Sequence, residues 1–142
     1  MLNGAIALAL VSVSVASSLQ MPGPYRAAGL MVMWLGLAIR VWAIAALGHA
    51  FRTTVEVEAA QTVVTQGPYR WIRHPSYTGL LLIVIGFGLA IGNWLALVVC
   101  VVLPLLGLLR RIQVEEAELL RVLGDRYRAY MTPTKRLIPG VW

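Results

Sequence analysis

The sequence predicts an all-α membrane protein: a helical bundle of about four transmembrane helices with an amphipathic helix near its C-terminal end. Of its 142 residues, 59% are hydrophobic and only 13% are charged, and the mean hydropathy is +0.77. Soluble domains average about 45–50% apolar and 25% charged residues. The chain therefore has more apolar surface than one small core can bury, and residues 1–142 are expected to form a single membrane domain.

Four apolar stretches supply the predicted spans: residues 2–19, 27–47, 75–91 and 94–109. The first could instead be a signal peptide, but no basic residue precedes Arg26, so a retained helix is favoured. Pro22, Gly23 and Pro24 predict a turn before the second stretch. An arginine at position 40 lies inside that stretch, and it either reaches the membrane interface or marks a functional site.

Small residues recur every seven positions in the second stretch, at Gly29, Gly36 and Ala43. This spacing predicts one helix face against which a neighbouring helix can pack closely. The contact could lie within one chain or between two copies, so the oligomeric state is left open.

The third and fourth stretches are predicted to form a helical hairpin. Pro75 suits the first turn of a helix, and Gly92–Asn93 is a tight turn that contains no charged residue. Pro104 removes one hydrogen bond of the fourth helix and is expected to bend it. Apolar residues continue at helical spacing after the membrane stretch, so this helix should extend as an amphipathic arm and end at Gly124.

The basic residues are concentrated in two segments. The net charge is +6, from twelve basic and six acidic residues. Three basic residues lie in the loop 48–74 and seven in the C-terminal arm 110–142. Because basic residues collect on the cytoplasmic side of membrane spans, both segments are predicted to face the cytoplasm, and a bacterial inner membrane is the expected location. Without a separate basic domain, nucleic-acid binding is not indicated.

Two polar clusters interrupt the apolar chain at the same end of the predicted hairpin. The sequence GPYRWIRHPSYTG, residues 67–79, precedes the third helix, and RRIQVEEAE, residues 110–118, follows the fourth span. The hairpin should bring both to one membrane face, where they can form a single site. Arg111 and Glu115 are spaced four apart and would share a helix face. A solvated ion pair without a function is the alternative.

Other polar side chains leave several alternatives open. His49 is the only other histidine besides His74, and no metal-ligand spacing is present, so no metal site is predicted. Tyr69, Trp71 and Tyr77 could form an aromatic belt at the membrane interface, or bind an adenine ring or a cationic group. Motifs of serine hydrolases, P-loop proteins and dinucleotide-binding proteins are absent from the sequence.

The order RHPSYTG, apolar span, GNW, second span and RxxxEExxLxxxxGxxYxxY closely resembles the isoprenylcysteine carboxyl methyltransferase and phospholipid methyltransferase superfamily. The resemblance covers roughly residues 40–139. It implies a small integral membrane methyltransferase that binds S-adenosylmethionine in a cytoplasmic pocket formed by the last two spans and their polar segments. The implied acceptor is a lipophilic substrate that enters from the membrane lipids.

The same resemblance implies roles for particular residues. Arg111 and Glu115 would lie at the reacting end. The implied cofactor-binding residues are Tyr69, Arg73, His74, Tyr77, Gly79 and Glu116. An arginine would orient a carboxylate acceptor with two hydrogen bonds, so carboxyl methylation is favoured. N-methylation of a phospholipid amine, an NADPH-dependent sterol-type reductase with a related HxxYxG element, and a non-catalytic membrane scaffold are the alternatives.

Overall fold

The computed structural model describes residues 19–48 and 63–142. The described parts contain four α-helices and one short 3-10 helix. We number them α1 (Gly23–Leu47), α2 (Pro75–Ile91), α3 (Trp94–Leu123) and α4 (Asp125–Met131), with the 3-10 helix at Gly67–Arg70. All of the predicted first span except Leu19 lies outside these residues, as does His49.

The described helices agree with an all-α membrane fold, although the predicted total of four spans is not confirmed. α1 and α3 are long and apolar enough to cross a membrane, and α2 is a shorter apolar helix. At 1.5 Å per residue, the 17 residues of α2 are about 26 Å long, close to the hydrocarbon thickness of about 30 Å. Both ends of α2 match the prediction.

α1 begins earlier than the sequence predicted. The predicted turn at Pro22–Pro24 is wrong, because the helix already begins at Gly23. Pro24 lies in the first helical turn, where the missing N–H removes no helical hydrogen bond and the fixed φ favours the helix. Pro24 therefore marks the start of the helix rather than a break before it.

α1 and α2 pack through the small-residue face that the sequence predicted. A Cβ atom added to Gly36 would lie 2.6 Å from the carbonyl oxygen of Gly79, and one added to Gly29 would lie 2.6 Å from that of Gly86. Real carbon and oxygen atoms cannot approach so closely, so both positions require glycine as packed. The pairing of low numbers in α1 with high numbers in α2 makes the two helices antiparallel.

The turn between α2 and α3 is built as predicted, but a charged residue lies beside it. Gly92 has a left-handed φ of 73°, which favours glycine. The side chain of Asn93 caps α3 by accepting hydrogen bonds from the backbone N–H groups of Leu95 and Ala96, at 2.9 and 3.1 Å. The guanidinium of Arg26 lies against Gly92, a proximity that only the fold reveals.

α3 is one helix that continues through Pro104 and ends at Leu123, before Gly124. The helix thus ends at the glycine that the sequence predicted, while an amphipathic arm outside the membrane stays a prediction. The sequence did not indicate that a further helix, α4, follows. Lys135 and Arg136 follow α4. Their carbonyl groups accept hydrogen bonds from the backbone N–H groups of Arg73 and His74, at 2.7 and 3.0 Å. The C-terminal segment is thereby fixed beside the start of α2.

Candidate functional site

The hairpin brings the two polar clusters together, as the sequence predicted, and Glu116 of α3 lies at their centre. Its side chain is only 5% exposed. The Nε of Arg73 lies 2.7 Å from Oε1 of Glu116, and the Nε of Arg136 lies 2.9 Å from Oε2. The Nε2 of His74 is 3.3 Å from Oε1. The carboxylate of Glu116 is therefore enclosed by three nitrogen-bearing side chains.

Arg73 connects this buried cluster to the C-terminal segment. Besides Glu116, its guanidinium donates to the backbone carbonyl groups of Met131 and Thr134. The Arg73 side chain is 8% exposed, so these partners, rather than water, stabilise its positive charge. Removing one member of a buried ion pair leaves the other charge uncompensated. The cluster around Glu116 therefore holds together α3, the start of α2 and the end of the chain.

Glu115 forms a second cluster, which opens toward solvent. The hydroxyl of Tyr77 donates to Oε1 of Glu115, and the Nε of Arg111 donates to the same oxygen at 2.9 Å. The Glu115 side chain is 29% exposed and that of Arg111 is 68% exposed. The predicted pairing of Arg111 with Glu115 is confirmed, and Tyr77 joins it from α2.

Aromatic and cationic side chains stack on the Tyr77 ring. The ring of His74 is nearly parallel to it, with centroids 5.5 Å apart and an angle of 7° between the planes. The guanidinium carbon of Arg111 lies 5.6 Å from the ring centroid of Tyr77, within the range of a cation–π contact. The Nδ1 of His74 is 3.8 Å from Oε2 of Glu115. His74 thus contacts both acidic residues.

A groove of about 230 Å³ lies next to the Glu116 cluster. Its lining comes from the segment before α2, from the last residue of α4 and from the C-terminal segment: Arg73, Met131, Thr134, Lys135, Arg136, Val141 and Trp142. The guanidinium of Arg136 lies 5.2 Å from the ring of Trp142. The groove therefore offers cationic groups and an aromatic face, a lining suited to an anionic group attached to a flat ring.

Tyr69 is buried rather than exposed at the surface of the site. It is 8% exposed, and its backbone carbonyl accepts a hydrogen bond of 2.7 Å from the hydroxyl of Tyr130. Burial, with a smaller contribution from the charge of Glu115, raises the pKa of Tyr69 to about 12. The Tyr69 hydroxyl is therefore neutral at physiological pH, and its predicted cofactor contact stays a prediction.

Gly79 faces α1 and not the Glu115 cluster. A Cβ atom at this position would lie 2.7 Å from the carbonyl oxygen of Gly36 and 2.8 Å from the backbone nitrogen of Arg40. Helix packing alone therefore accounts for the glycine, and its contribution to cofactor binding stays a prediction. Arg40, which the sequence left open, donates to the carbonyl and the hydroxyl of Ser76, both at 3.2 Å.

The sequence did not single out the C-terminal part of the site. Thr134, Lys135, Arg136 and Trp142 follow α4 without a recognisable motif, and their place depends on the parallel bridge between Ile72 and Lys135. A pairing across more than sixty residues has no local pattern. The only available signal was that the family resemblance extends to position 139.

The fold and the site define a helical membrane protein with a polar site at the open end of a hairpin. The model of the isoprenylcysteine carboxyl methyltransferase (ICMT) family matches residues 28–121. The chain belongs to this family.

Curated relatives carry the name protein-S-isoprenylcysteine O-methyltransferase. The protein of Tribolium castaneum is 34% identical over 115 residues, which are 80% of this chain and 41% of the relative. The protein of Schizosaccharomyces pombe is 29% identical over 117 residues, 81% of this chain and 50% of the relative. The chain thus spans about half or less of the length of these relatives.

A solved structure, that of the eukaryotic intramembrane Ras methyltransferase ICMT, has the same fold. It aligns with a TM-score of 0.75 and 32% sequence identity, over 82% of this chain and 42% of the other. Together with the apolar helices α1 and α3, this similarity identifies the chain as an integral membrane protein.

Proposed function

We propose that this chain transfers a methyl group from S-adenosylmethionine to the carboxylate of a lipophilic substrate in the membrane. Membership of the ICMT family supports the reaction class. The observation that carries the proposal is the cluster of Arg111, Glu115 and Tyr77, since it presents an exposed guanidinium where the polar segments meet. The relatives' name makes a prenylated cysteine the first acceptor to test.

The residues around the groove suit the methyl donor, which carries a carboxylate, an adenine ring and a positive charge. Lys135 and Arg136 would attract the carboxylate, and Trp142 offers a ring face for the adenine. Tyr69, Arg73, His74, Tyr77, Gly79 and Glu116 are the further residues that the resemblance assigns to the cofactor. Of these, Arg73 also lines the groove, whereas Glu116 is engaged by Arg73 and Arg136 and would act by holding them.

Arg111 would bind and orient the acceptor. Its Nε is held by Glu115, and its outer nitrogens would bind the acceptor carboxylate, because arginine and carboxylate groups form two parallel hydrogen bonds. Holding the reacting atoms in line can lower a barrier by about 7–11 kcal/mol. When bound, S-adenosylmethionine supplies a methyl group on a cationic sulfur: as the carbon–oxygen bond forms, the carbon–sulfur bond breaks and its electron pair stays on sulfur.

No proton has to be removed from a carboxylate acceptor, so Glu115 need not act as a base in this reaction. An amine acceptor would instead require a group that takes a proton, a task for a carboxylate within hydrogen-bonding distance. A carboxyl methyltransferase forms a methyl ester, whereas a phospholipid N-methyltransferase forms an N-methyl group, so the product distinguishes the two enzymes.

The first prediction is that the purified protein in detergent transfers radiolabelled methyl groups to a prenylated cysteine with a free carboxylate. The same compound with its carboxylate already esterified is the control and should accept no label. Mild base should release the label as methanol, because esters hydrolyse under conditions that leave N-methyl groups intact. Base-stable label in a membrane lipid extract would indicate an amine acceptor, and no transfer to either would contradict the proposed function.

A further inference from the structure

The hydroxyl of Tyr77 has a partner that the family resemblance did not suggest. It donates a hydrogen bond to Oε1 of Glu115, the oxygen that also accepts from the Nε of Arg111 at 2.9 Å. Two donors from different helices therefore converge on one carboxylate oxygen. Because Tyr77 belongs to α2 and Glu115 to α3, the bond also crosses the hairpin at its open end.

The position of the tyrosine ring is itself fixed. His74 stacks on it with an angle of 7° between the ring planes, and His74 is held in turn by Oε1 of Glu116 at 3.3 Å. The guanidinium of Arg111 lies 5.6 Å from the ring centroid of Tyr77. The buried cluster thus supports the tyrosine, and the tyrosine contacts both members of the Arg111–Glu115 pair.

An arginine as exposed as Arg111 does not keep one orientation unaided. Its side chain is 68% exposed, and long cationic side chains in water sample many rotamers. Glu115 restrains the Nε, and the Tyr77 ring restrains the plane of the guanidinium. Tyr77 contributes to both restraints. Its hydroxyl fixes the carboxylate that holds Arg111, and its ring contacts the guanidinium directly.

We infer that Tyr77 is a positioning residue that aims the Arg111 guanidinium at the acceptor carboxylate through Glu115. This inference rests on the proposed function. It differs from the cofactor-pocket role that the resemblance implies for Tyr77, and the two roles predict different defects. A residue that aims Arg111 affects use of the acceptor, whereas a residue that lines the cofactor pocket affects binding of the methyl donor.

The test is the substitution Tyr77→Phe, which removes only the hydroxyl and keeps the ring that stacks on His74. For the prenylated cysteine acceptor, kcat/KM should fall about tenfold, a size typical of losing one positioning hydrogen bond to a charged group. Affinity for S-adenosylhomocysteine, measured by its thermal shift, should stay within about twofold, and the same measurement reports that the variant is folded. Tyr25→Phe, at the other end of the hairpin, is the matched control and should leave both values unchanged.

A double-variant comparison separates action through Arg111 from an independent effect. The variant Tyr77→Phe with Arg111→Ala should turn over no more slowly than Arg111→Ala alone, because no guanidinium is left to aim. Glu115→Ala provides a second route to the same test, because it removes the oxygen that accepts from both Tyr77 and Arg111, and adding Tyr77→Phe to it should also cost little. The inference would be overturned if the double variant lost activity by the product of the two single losses. It would also be overturned if Tyr77→Phe bound S-adenosylhomocysteine more weakly with an unchanged acceptor KM. A wild-type protein without methyl transfer would overturn the proposed function as well.

Discussion

At the scale of single residues, Glu115 and Glu116 are neighbours in the chain with different environments. Successive residues of a helix point about 100° apart, so one carboxylate faces the opening of the site and the other faces the interior. Glu115 is 29% exposed and Glu116 is 5% exposed. The sequence identified the acidic pair but not this division, because the exposure depends on where Arg73 and Arg136 lie in the fold.

Replacing Glu116 by glutamine is expected to destabilise the protein rather than to remove a single ligand contact. The amide has no charge and only one accepting oxygen, so Arg73 and Arg136 would lose their shared counterion. Breaking a buried pair in this way costs about 3–5 kcal/mol, which thermal unfolding in detergent would detect. Glu118→Gln, which removes an exposed pair with Arg121, is the control and should leave stability unchanged. Unaltered stability with weakened S-adenosylhomocysteine binding would instead make Glu116 a direct cofactor ligand.

At the scale of helices, the sequence predicted what local patterns encode. The ends of α2, the turn at Gly92–Asn93 and the end of α3 at Gly124 all have local signals, and the structure confirms them. α4 and the C-terminal segment were not predicted. The position of that segment depends on the Ile72–Lys135 bridge and on hydrogen bonds to Arg73, contacts between distant parts of the chain that leave no periodic pattern.

The contact between α1 and α2 leads to a prediction about glycine. In Gly36→Ala the new methyl group would lie 2.6 Å from a carbonyl oxygen and 2.8 Å from the backbone nitrogen of Ile83. The helices must therefore separate, at a cost of about 1–3 kcal/mol. Gly107→Ala is the matched control, because a Cβ there meets nothing within 4 Å and alanine favours the helix by about 0.5–1 kcal/mol. Equal melting temperatures for the two variants in detergent would refute close packing through Gly36.

At the scale of the whole molecule, the site exists because the α2–α3 hairpin returns the chain to the end of α2 from which it started. The segment before α2 and the polar part of α3 are more than thirty residues apart in sequence, yet Arg73 and Glu116 are in direct contact. The sequence predicted this meeting from the short, charge-free turn between two apolar helices. The third partner, Arg136, completes the cluster from the end of the chain.

The position of this site relative to the membrane is the last prediction, and it rests on the distribution of arginines. Ten of the twelve basic residues lie in the segments 48–74 and 110–142, and the positive-inside rule places such segments in the cytoplasm. Arg26, beside the opposite turn, is one positive charge against these ten and should not reverse the orientation.

Single cysteines introduced at exposed positions of a Cys100→Ala background test this topology. Thr65→Cys and Thr132→Cys lie at the end of the hairpin that carries the site. They should react with a membrane-impermeant thiol reagent only after the cells have been permeabilised. Gln20→Cys, which is exposed and whose backbone pairs with Asn93, should react in intact cells. Gln20 is preferable to Asn93 because the Asn93 side chain caps α3, and its replacement would disturb the turn being probed. Reaction of Thr132→Cys and Gln20→Cys from the same side would exclude a hairpin that crosses the membrane, and with it a cytoplasmic site fed from the bilayer.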